Sequence, residues 1–227
     1  MLRGRDIKRY SYEWADLWII TIEFGAHQYL QEKHPSIYSH LLQYQDRLKA
    51  RGQCTNKPAT DKKPYLGQHH WLELDNNPTR GYFSNFEKEK IVYSEIVREP
   101  QFFLDTECFF AEATAFVMTG KNLKYLIGFL NNSFVAFMFK TFYAGGGLGE
   151  SGYRYKKAFL EKLPIPKITE SNQSTAEQII ALVEEILKVK DQNPKANTSV
   201  QESKIDELVY QLYALTSEEV AIIESRE

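Results

Sequence analysis

Residues 122–168 read NLKYLIGFLNNSFVAFMFKTFYAGGGLGESGYRYKKAFLEKLPIPKI, and this stretch decides the fold that the sequence predicts. Its first half places apolar residues at steps of three and four, which is the spacing of a buried helix face. The residues at this spacing are Leu123, Leu126, Ile127, Leu130, Phe134 and Phe137. The pattern predicts an amphipathic helix over 122–142, or two helices broken at Asn131 and Asn132.

The sequence before this stretch predicts β-strands. Residues 90–97 (KIVYSEIV) and 102–118 (FFLDTECFFAEATAFVM) are dense in Phe, Val and Thr, and short polar breaks divide them. Two weaker strands are predicted at 17–24 and 71–74. The expected fold class is α+β, with a twisted, largely antiparallel sheet and packed helices.

A helix and a polar loop are predicted between the two weaker strands. The helix covers 26–49, and its main part is expected to begin near Pro35, because proline is favoured in a first helical turn. Leu41, Leu42 and Leu48 would give this helix a buried face. Residues 51–67 contain prolines and several basic side chains, which predicts a loop.

The C-terminal residues 170–227 predict an acidic helical segment that packs separately from the body, residues 1–169. Thr175 can cap a first helix with apolar residues at heptad spacing, and Thr216, followed by two glutamates, can begin a third. The apolar positions of the first two helices are Ile179, Leu182, Ile186, Val189, Ile205, Leu208, Val209 and Leu212. The apolar faces of these helices leave two alternatives open. They could pack on the body of this chain, or they could form a spacer or docking surface for another domain.

Charge is distributed unevenly along the chain. The 227 residues carry a net charge of −2, with 28 basic and 30 acidic side chains. Residues 1–169 hold 23 of the basic and 18 of the acidic side chains, whereas 170–227 hold 5 and 12. A basic body suits a polyanionic partner such as nucleic acid, although a balance of this size is also common in proteins with other functions.

The segment Tyr153-Arg154-Tyr155-Lys156-Lys157 is the strongest candidate for nucleic-acid contact. Cations bind phosphates, arginine can read guanine edges, and aromatic rings can stack on bases. Glycines 145, 146, 147, 149 and 152 precede it, and Gly145, Gly146 and Gly147 would permit close approach to a DNA backbone. The alternatives are a solvated strand with its rings in the core, and a flexible connector.

Two further groups of cations are weaker candidates. Arg3, Arg5, Lys8 and Arg9 near the N-terminus are expected to contact phosphates, unless this end is simply solvated. Base contacts are expected from the loop region and the histidines after it, because loops carry recognition residues. The residues of this second group are Lys57, Lys62, Lys63, His69 and His70.

The sequence offers little support for catalysis, metal binding or membrane insertion. Adjacent His69 and His70 in an extended segment would point to opposite faces, and Cys54 and Cys108 have no neighbouring second ligand. Asp61-Lys62-Lys63 and Glu202-Ser203-Lys204 match the crude acid-x-Lys pattern of nucleases, but neither follows a strand that carries a partner acid. Hydrolase and amino-methylation motifs are absent. No uninterrupted apolar run reaches about 18 residues, and the basic N-terminus lacks the apolar run of a secretory signal. A reducing cytoplasm is the expected location.

Four stretches together resemble the TaqI-like C-terminal specificity domain of type IIG restriction-modification enzymes and related adenine-specific DNA methyltransferases. They are LRGRDIKRY with Trp14, residues 87–120, residues 122–168, and KIDELVYQLYALTSEEVAIIE in the tail. The ordered motif over 122–168 is the most specific. Residues 20–72, roughly, match no particular member, so the target sequence is not readable.

The resemblance implies sequence-specific recognition of double-stranded DNA and no catalytic residue in this chain. In such enzymes an N-terminal portion carries an S-adenosylmethionine-dependent adenine-N6 methyltransferase, often with an endonuclease, and this domain chooses the site. No cofactor is therefore expected here, whereas the parent would use S-adenosylmethionine, with Mg²⁺ as a further candidate. Met1 before Leu2 is interpreted as a start residue added to a piece of a longer protein, with a split subunit as the alternative.

Two other functions are left open by the residues. The chain could be a specificity subunit whose helical tail docks a separate methyltransferase, in which case it would have little affinity for DNA. It could also be a free-standing enzyme, in which case S-adenosylmethionine should raise its melting temperature. The DNA-binding interpretation predicts affinity that weakens steeply with salt.

Overall fold

A computed structural model describes residues 1–75, 80–144, 147–149 and 152–225. The chain divides into two compact units, which are described separately. The main unit comprises Met1–Leu17 and Ser84–Glu227, and the insert unit comprises Trp18–Phe83. The α+β class predicted from sequence is confirmed.

The strands of the main unit form short antiparallel ladders. They are β1 (Ile7–Lys8), β2 (Ser11–Tyr12), β3 (Lys90–Ser94), β4 (Ile96–Val97), β5 (Phe102–Asp105), β6 (Ala115–Met118) and β7 (Tyr153–Arg154). β3 is the central strand of a three-stranded sheet between β5 and β6. β1 pairs with β2, and β4 pairs with β7. The predicted strands at 90–97 and 102–118 are therefore confirmed in part, since Glu95 and residues 106–114 interrupt them.

The helices of the two units differ in length. Those of the insert unit are α1 (Leu30–Lys33), α2 (Pro35–Leu42), α3 (Gln45–Lys49) and α4 (Arg80–Phe83). Those of the main unit are α5 (Leu123–Leu130), α6 (Ser133–Met138), α7 (Lys157–Leu160), α8 (Gln173–Gln192), α9 (Ser199–Leu212) and α10 (Ser217–Glu224). One π-helical turn, Phe139–Tyr143, continues α6.

Two asparagines explain why the predicted helix over 122–142 is broken. The buried amide of Asn131 accepts a hydrogen bond from Phe102 N at 3.1 Å and donates one to Phe102 O at 2.9 Å, which ties the end of α5 to β5. The amide oxygen of Asn132 accepts from Phe134 N at 2.9 Å and so caps α6. The two-helix alternative is correct, because both side chains satisfy backbone groups that a continuous helix would use.

The C-terminal helices are part of the main unit, so the predicted separate segment at 170–227 is wrong as a packing unit. Ile179, Val183 and Ile186 of α8 are fully buried in the same core cluster as α5 and the central sheet. Gly128 on α5 permits this packing, since a Cβ there would lie 2.9 Å from Ile179 Cγ2. The predicted cap at Thr175 is also displaced, because α8 begins at Gln173.

Thr216 begins the third tail helix as predicted. Its hydroxyl accepts from Glu219 N at 3.3 Å, and the Glu219 carboxylate accepts from Thr216 N at 2.8 Å. This reciprocal capping box satisfies two backbone donors of α10.

The insert unit departs from the predicted strands and single helix. Residues 17–24 and 71–74 form no strand, and a 3₁₀ turn with α1, α2 and α3 replaces the helix over 26–49. Pro35 is the first residue of α2, as predicted, but Leu42 is exposed rather than buried.

Side-chain hydrogen bonds explain the missing strand at 71–74. Arg51 Nη2 donates to Trp71 O at 2.9 Å and to Glu73 O at 2.7 Å. A guanidinium therefore occupies carbonyl groups that a neighbouring strand would otherwise bind. The small core of this unit is built around four residues, which are Ile22, Ala26, Leu30 and Leu72.

Candidate nucleic-acid interface

The N-terminal turn is packed tightly onto the main unit. Gly4–Asp6 form a 3₁₀ turn, and Gly4 N donates to Thr114 Oγ1 at 3.0 Å. A Cβ on Gly4 would lie 2.7 Å from both Ser94 Oγ and Thr114 O, so only glycine fits here without rearrangement. Arg5 in this turn is exposed, and its guanidinium makes no ion pair or hydrogen bond with the described residues.

The pairing of β4 with β7 brings the predicted cluster at 153–157 to the same part of the main unit as the N-terminal turn. Ile96 pairs with Arg154, and Tyr155 N donates to Glu95 O at 2.7 Å. Residues about 150 positions apart in the chain therefore meet on either side of 94–96. A surface cavity of about 460 Å³ lies where the N-terminal turn meets 94–96, and its lining includes Arg5, Ser94, Glu95, Ile96, Glu112 and Thr114.

Four cations, Arg5 at this cavity and three from residues 154–157, are available to a ligand. The Arg154 side chain is 42% exposed, and its Nε lies 3.5 Å from Glu95 Oε1 without forming a hydrogen bond. Lys156 is exposed, and Lys157 is 79% exposed with only a 3.4 Å pair to Glu161. Exposed pairs of this kind are worth about 0–1 kcal/mol and are easily exchanged for a phosphate. We call Arg5, Arg154, Lys156 and Lys157 the basic patch.

Two carboxylates limit where a phosphate can sit. Glu95 and Glu112 line the cavity, and hydrogen bonds from Thr114 hold the pKa of Glu112 below its usual range, so that carboxyl is charged at neutral pH. A phosphate would therefore contact exposed cations at the surface rather than enter the cavity.

Tyr155 was predicted to stack on bases, and this prediction is wrong. Its side chain is 2% exposed and stacks face to face on Phe139, with ring centroids 4.1 Å apart. Successive residues of an extended segment point to opposite sides, so exposure of Arg154 and Lys156 places Tyr155 in the core. Tyr153 is half-buried, and Lys140 Nζ lies 5.6 Å from its ring centroid.

Arg3 and Arg9 were predicted as phosphate contacts, and the structure instead places both in internal ion pairs. Arg3 donates to the Asp6 carboxylate from Nε at 2.9 Å and from Nη2 at 2.7 Å, and this arginine lowers the pKa of Asp6. Arg9 Nε donates to Glu202 on α9. Lys8 is half-exposed, and its Nζ donates to Arg5 O at 2.7 Å.

The predicted contacts in the insert unit also divide into exposed and buried groups. Lys57 and Lys62 are exposed, whereas Lys63 donates to Gly67 O. His69 was predicted to contact bases, but it is buried and its ring stacks on Phe24 at 4.5 Å, so that prediction is wrong. His70 is half-buried beside His27, which sequence reasoning missed.

Comparison with known protein families identifies the family of the chain. The family model described as the TaqI-like C-terminal specificity domain matches residues 1–165. The chain belongs to this family. A specificity domain of this kind recognises DNA sequence in restriction-modification systems and is not itself catalytic. A search of curated proteins finds no match.

The match covers the insert unit and the basic patch of the specificity domain, and it ends before the tail helices. Within the described residues, no group of three or more His, Cys, Asp or Glu side chains is placed to hold a metal ion. Across the same described ranges, none of the helices has the length and apolar character needed to cross a bilayer.

Glycines beside the basic patch of the specificity domain shape its backbone. Gly152 has φ +104° and Gly147 has φ +77°, which are values that L side chains rarely adopt. A Cβ on Gly152 would lie 2.4 Å from Val97 O, where β4 pairs with β7. Gly145 and Gly146, predicted to approach DNA, lie outside the described residues.

Substituting Gly152 by alanine is expected to lower the free energy of unfolding by about 2 kcal/mol or more, because backbone strain and a clash with β4 add together. Gly149→Ala is the matched control. Its φ is +61°, but nothing lies within 4 Å of the added Cβ, so only the strain of about 1 kcal/mol remains. Urea denaturation followed by circular dichroism measures both, and equal effects would contradict the proposed clash.

Proposed function

We propose that the chain is the DNA target-recognition domain of a type IIG restriction-modification enzyme. The rest of the enzyme would be an S-adenosylmethionine-dependent adenine-N6 methyltransferase, with an endonuclease in the same assembly. Membership of the specificity-domain family supports this proposal. The observation that carries it is that the N-terminal turn and β7 both meet the segment 94–96, the turn at Ser94 and β7 at Ile96, while Arg5, Lys156 and Lys157 stay exposed.

The basic patch would bind the sugar-phosphate backbone and set the position of the domain on the duplex. Phosphate contacts of this type orient a protein but carry no sequence information. Exposed Arg5, Lys156 and Lys157 suit this role, since none is held by a strong internal partner. Base reading then depends on other side chains, for which the insert unit offers exposed Lys57 and Lys62.

The alternative function, a docking subunit, was suggested by apolar helix faces that the structure buries. The apolar faces of α8 and α9 were its expected contact surface, and the structure uses Ile179, Val183, Ile205 and Val209 in the core of the main unit. Exposed apolar residues of the tail are scattered, as with Val200 and Ile222.

Duplex binding by the chain is expected to weaken steeply with salt. If the four cations of the basic patch each contact a phosphate, log affinity should fall with log salt with a slope of about −3.6 or steeper. Affinity should then drop by about a hundredfold between 50 and 200 mM salt. Fluorescence anisotropy with a random-sequence duplex measures this slope. A slope near zero, or no binding at 50 mM, would contradict the proposal.

A further inference from the structure

Two imidazole rings lie side by side in the insert unit. The rings of His27 and His70 have centroids 4.4 Å apart and planes inclined by 21°. Tyr65 packs its ring edge-on against both, at 5.3 Å from His27 and 5.2 Å from His70. The two histidines are 43 positions apart in the sequence, so the tertiary structure alone creates the pair.

A buried glutamate holds the pair in place. Glu73 is 2% exposed, and its Oε1 accepts from Gly25 N at 2.6 Å and lies 2.6 Å from His27 Nδ1. Its Oε2 accepts from His70 N at 3.1 Å. Because a carboxylate can only accept, His27 must carry a proton on Nδ1, and in the neutral tautomer Nε2 is then an acceptor.

His70 has the opposite arrangement. Its Nδ1 accepts from Leu72 N at 3.3 Å, so the ring proton must lie on Nε2. Burial, and then the neighbouring His27, lower the pKa of His70 to about 4, which keeps this ring neutral at pH 7. His70 therefore carries an Nε2–H donor, and the neighbouring ring of His27 carries an Nε2 acceptor in its neutral tautomer.

Both Nε2 atoms are reachable from solvent. Among the described residues neither atom has a hydrogen-bond partner, and neither belongs to the buried polar atoms that lack one. Because neutral His70 carries its proton on Nε2, that nitrogen has no lone pair for a metal ion, and the pair suits two separate hydrogen bonds better than one shared metal ion.

The charge of the insert unit suits a partner made of nucleic acid. Residues 18–83 hold eight Lys or Arg against six Asp or Glu, and all five histidines of the chain. Lys57 and Lys62 in the same unit are exposed and able to contact phosphates.

We propose that His27 and His70 form a base-reading pair, positioned by Glu73, that recognises adenine in the major groove. Adenine presents an N6–H donor beside the N7 acceptor there, and it is the only base with that combination. The acceptor of His27 would take the N6–H, and the donor of His70 would bind N7. This inference rests on the proposed function, since it assigns specificity-determining residues to the same DNA-binding domain.

The test is a binding selection from a randomised duplex library, using the 227-residue chain and two variants. His70→Phe keeps the stacked ring but removes the Nε2–H donor. His27→Gln keeps an amide donor for Glu73 and removes the imidazole. His40→Phe is the control, because His40 is an exposed histidine of the same unit whose ring lies 5.3 Å from that of Tyr44 and is not part of the His27–His70 pair.

The wild type and His40→Phe are expected to enrich one common motif. The two test variants should lose the preference for adenine at one base pair, by about fivefold to a hundredfold, and keep the rest of the motif. Sequence preference is a ratio within one sample, so a reduced folded fraction does not imitate this result. If His70→Phe fails to fold, His27→Gln alone tests whether the preference for adenine is lost.

Three other outcomes overturn the inference, and they differ in what they imply for the domain. An unchanged motif in both folded variants removes the histidines from base reading but leaves the proposed function intact. Uniformly weaker binding with a salt slope shallower by about one identifies a phosphate contact instead. No binding or no enriched motif in the wild type contradicts the proposed function as well.

Discussion

Replacing Lys90 by methionine is expected to lower the free energy of unfolding by about 3 to 5 kcal/mol. Lys90 on β3 and Asp105 on β5 are both 0% exposed, and Lys90 Nζ lies 2.5 Å from Asp105 Oδ2. Lys90 Nζ also donates to Phe86 O at 2.7 Å. Removing the lysine leaves a buried carboxylate without its counter-charge, which costs far more than the lost methylene packing.

The effect should extend to the basic patch. The Asp105 carboxylate accepts from Glu107 N at 2.8 Å and Phe109 N at 2.9 Å, so it anchors the segment 106–114. That segment ends at Thr114, whose hydroxyl accepts from Gly4 N in the N-terminal turn. Weaker anchoring of this segment is therefore expected to loosen the turn that presents Arg5.

Chemical denaturation followed by far-ultraviolet circular dichroism measures this loss. Lys88→Met is the matched control, since Lys88 is an exposed lysine two positions away, and it should change stability by less than about 0.5 kcal/mol. The double variant Lys90→Met, Asp105→Asn should recover part of the loss, because it removes the unpaired charge. A loss below about 1 kcal/mol for Lys90→Met alone would refute a charged, buried pair.

Replacing the basic patch, Arg5, Arg154, Lys156 and Lys157, by alanine is expected to reduce affinity for duplex DNA by about a hundredfold at 100 mM salt. Each lost phosphate contact removes about 0.9 from the slope of log affinity against log salt, so the slope should become shallower by about 3 to 4. Arg5, Lys156 and Lys157 are exposed and the Arg154 side chain is 42% exposed, so the fold should tolerate the change.

The control must remove the same charge elsewhere. Four exposed lysines that do not line the cavity are suitable, namely Lys121, Lys188, Lys195 and Lys204. Their replacement by alanine should change the salt slope by less than about one. Anisotropy titrations at four salt concentrations compare the two variants, and equal losses would show that net charge, rather than the patch, controls binding.

Local patterns in the sequence correctly predicted several elements. The three- and four-residue spacing over 122–142 predicted helices, and Asn131 with Asn132 marked their break. Dense apolar residues predicted β3 and β5, and Thr216 with Glu219 marked the start of α10. These predictions succeeded because the spacing of apolar residues and the capping of helix ends are local features that residues a few positions apart determine.

Part of the candidate interface was also predicted from residue type. Arg5, Arg154, Lys156 and Lys157 were among the expected cations, and the structure leaves Arg5, Lys156 and Lys157 exposed and the Arg154 side chain 42% exposed. The sequence alone did not distinguish Arg3 and Arg9 from the four cations of the basic patch. Only the fold shows that Asp6 and Glu202 occupy these two arginines.

The sequence by itself determined the helical and strand periodicities, the basic composition of the body, and the family to which the chain belongs. The tertiary structure alone decided that α8 completes the main core, that Tyr155 is buried, and that His27 meets His70. The physical reason is the separation in sequence over which each interaction acts. Periodicity and capping act between residues a few positions apart, whereas charge pairing, burial and ring stacking depend on which distant segments the chain brings together.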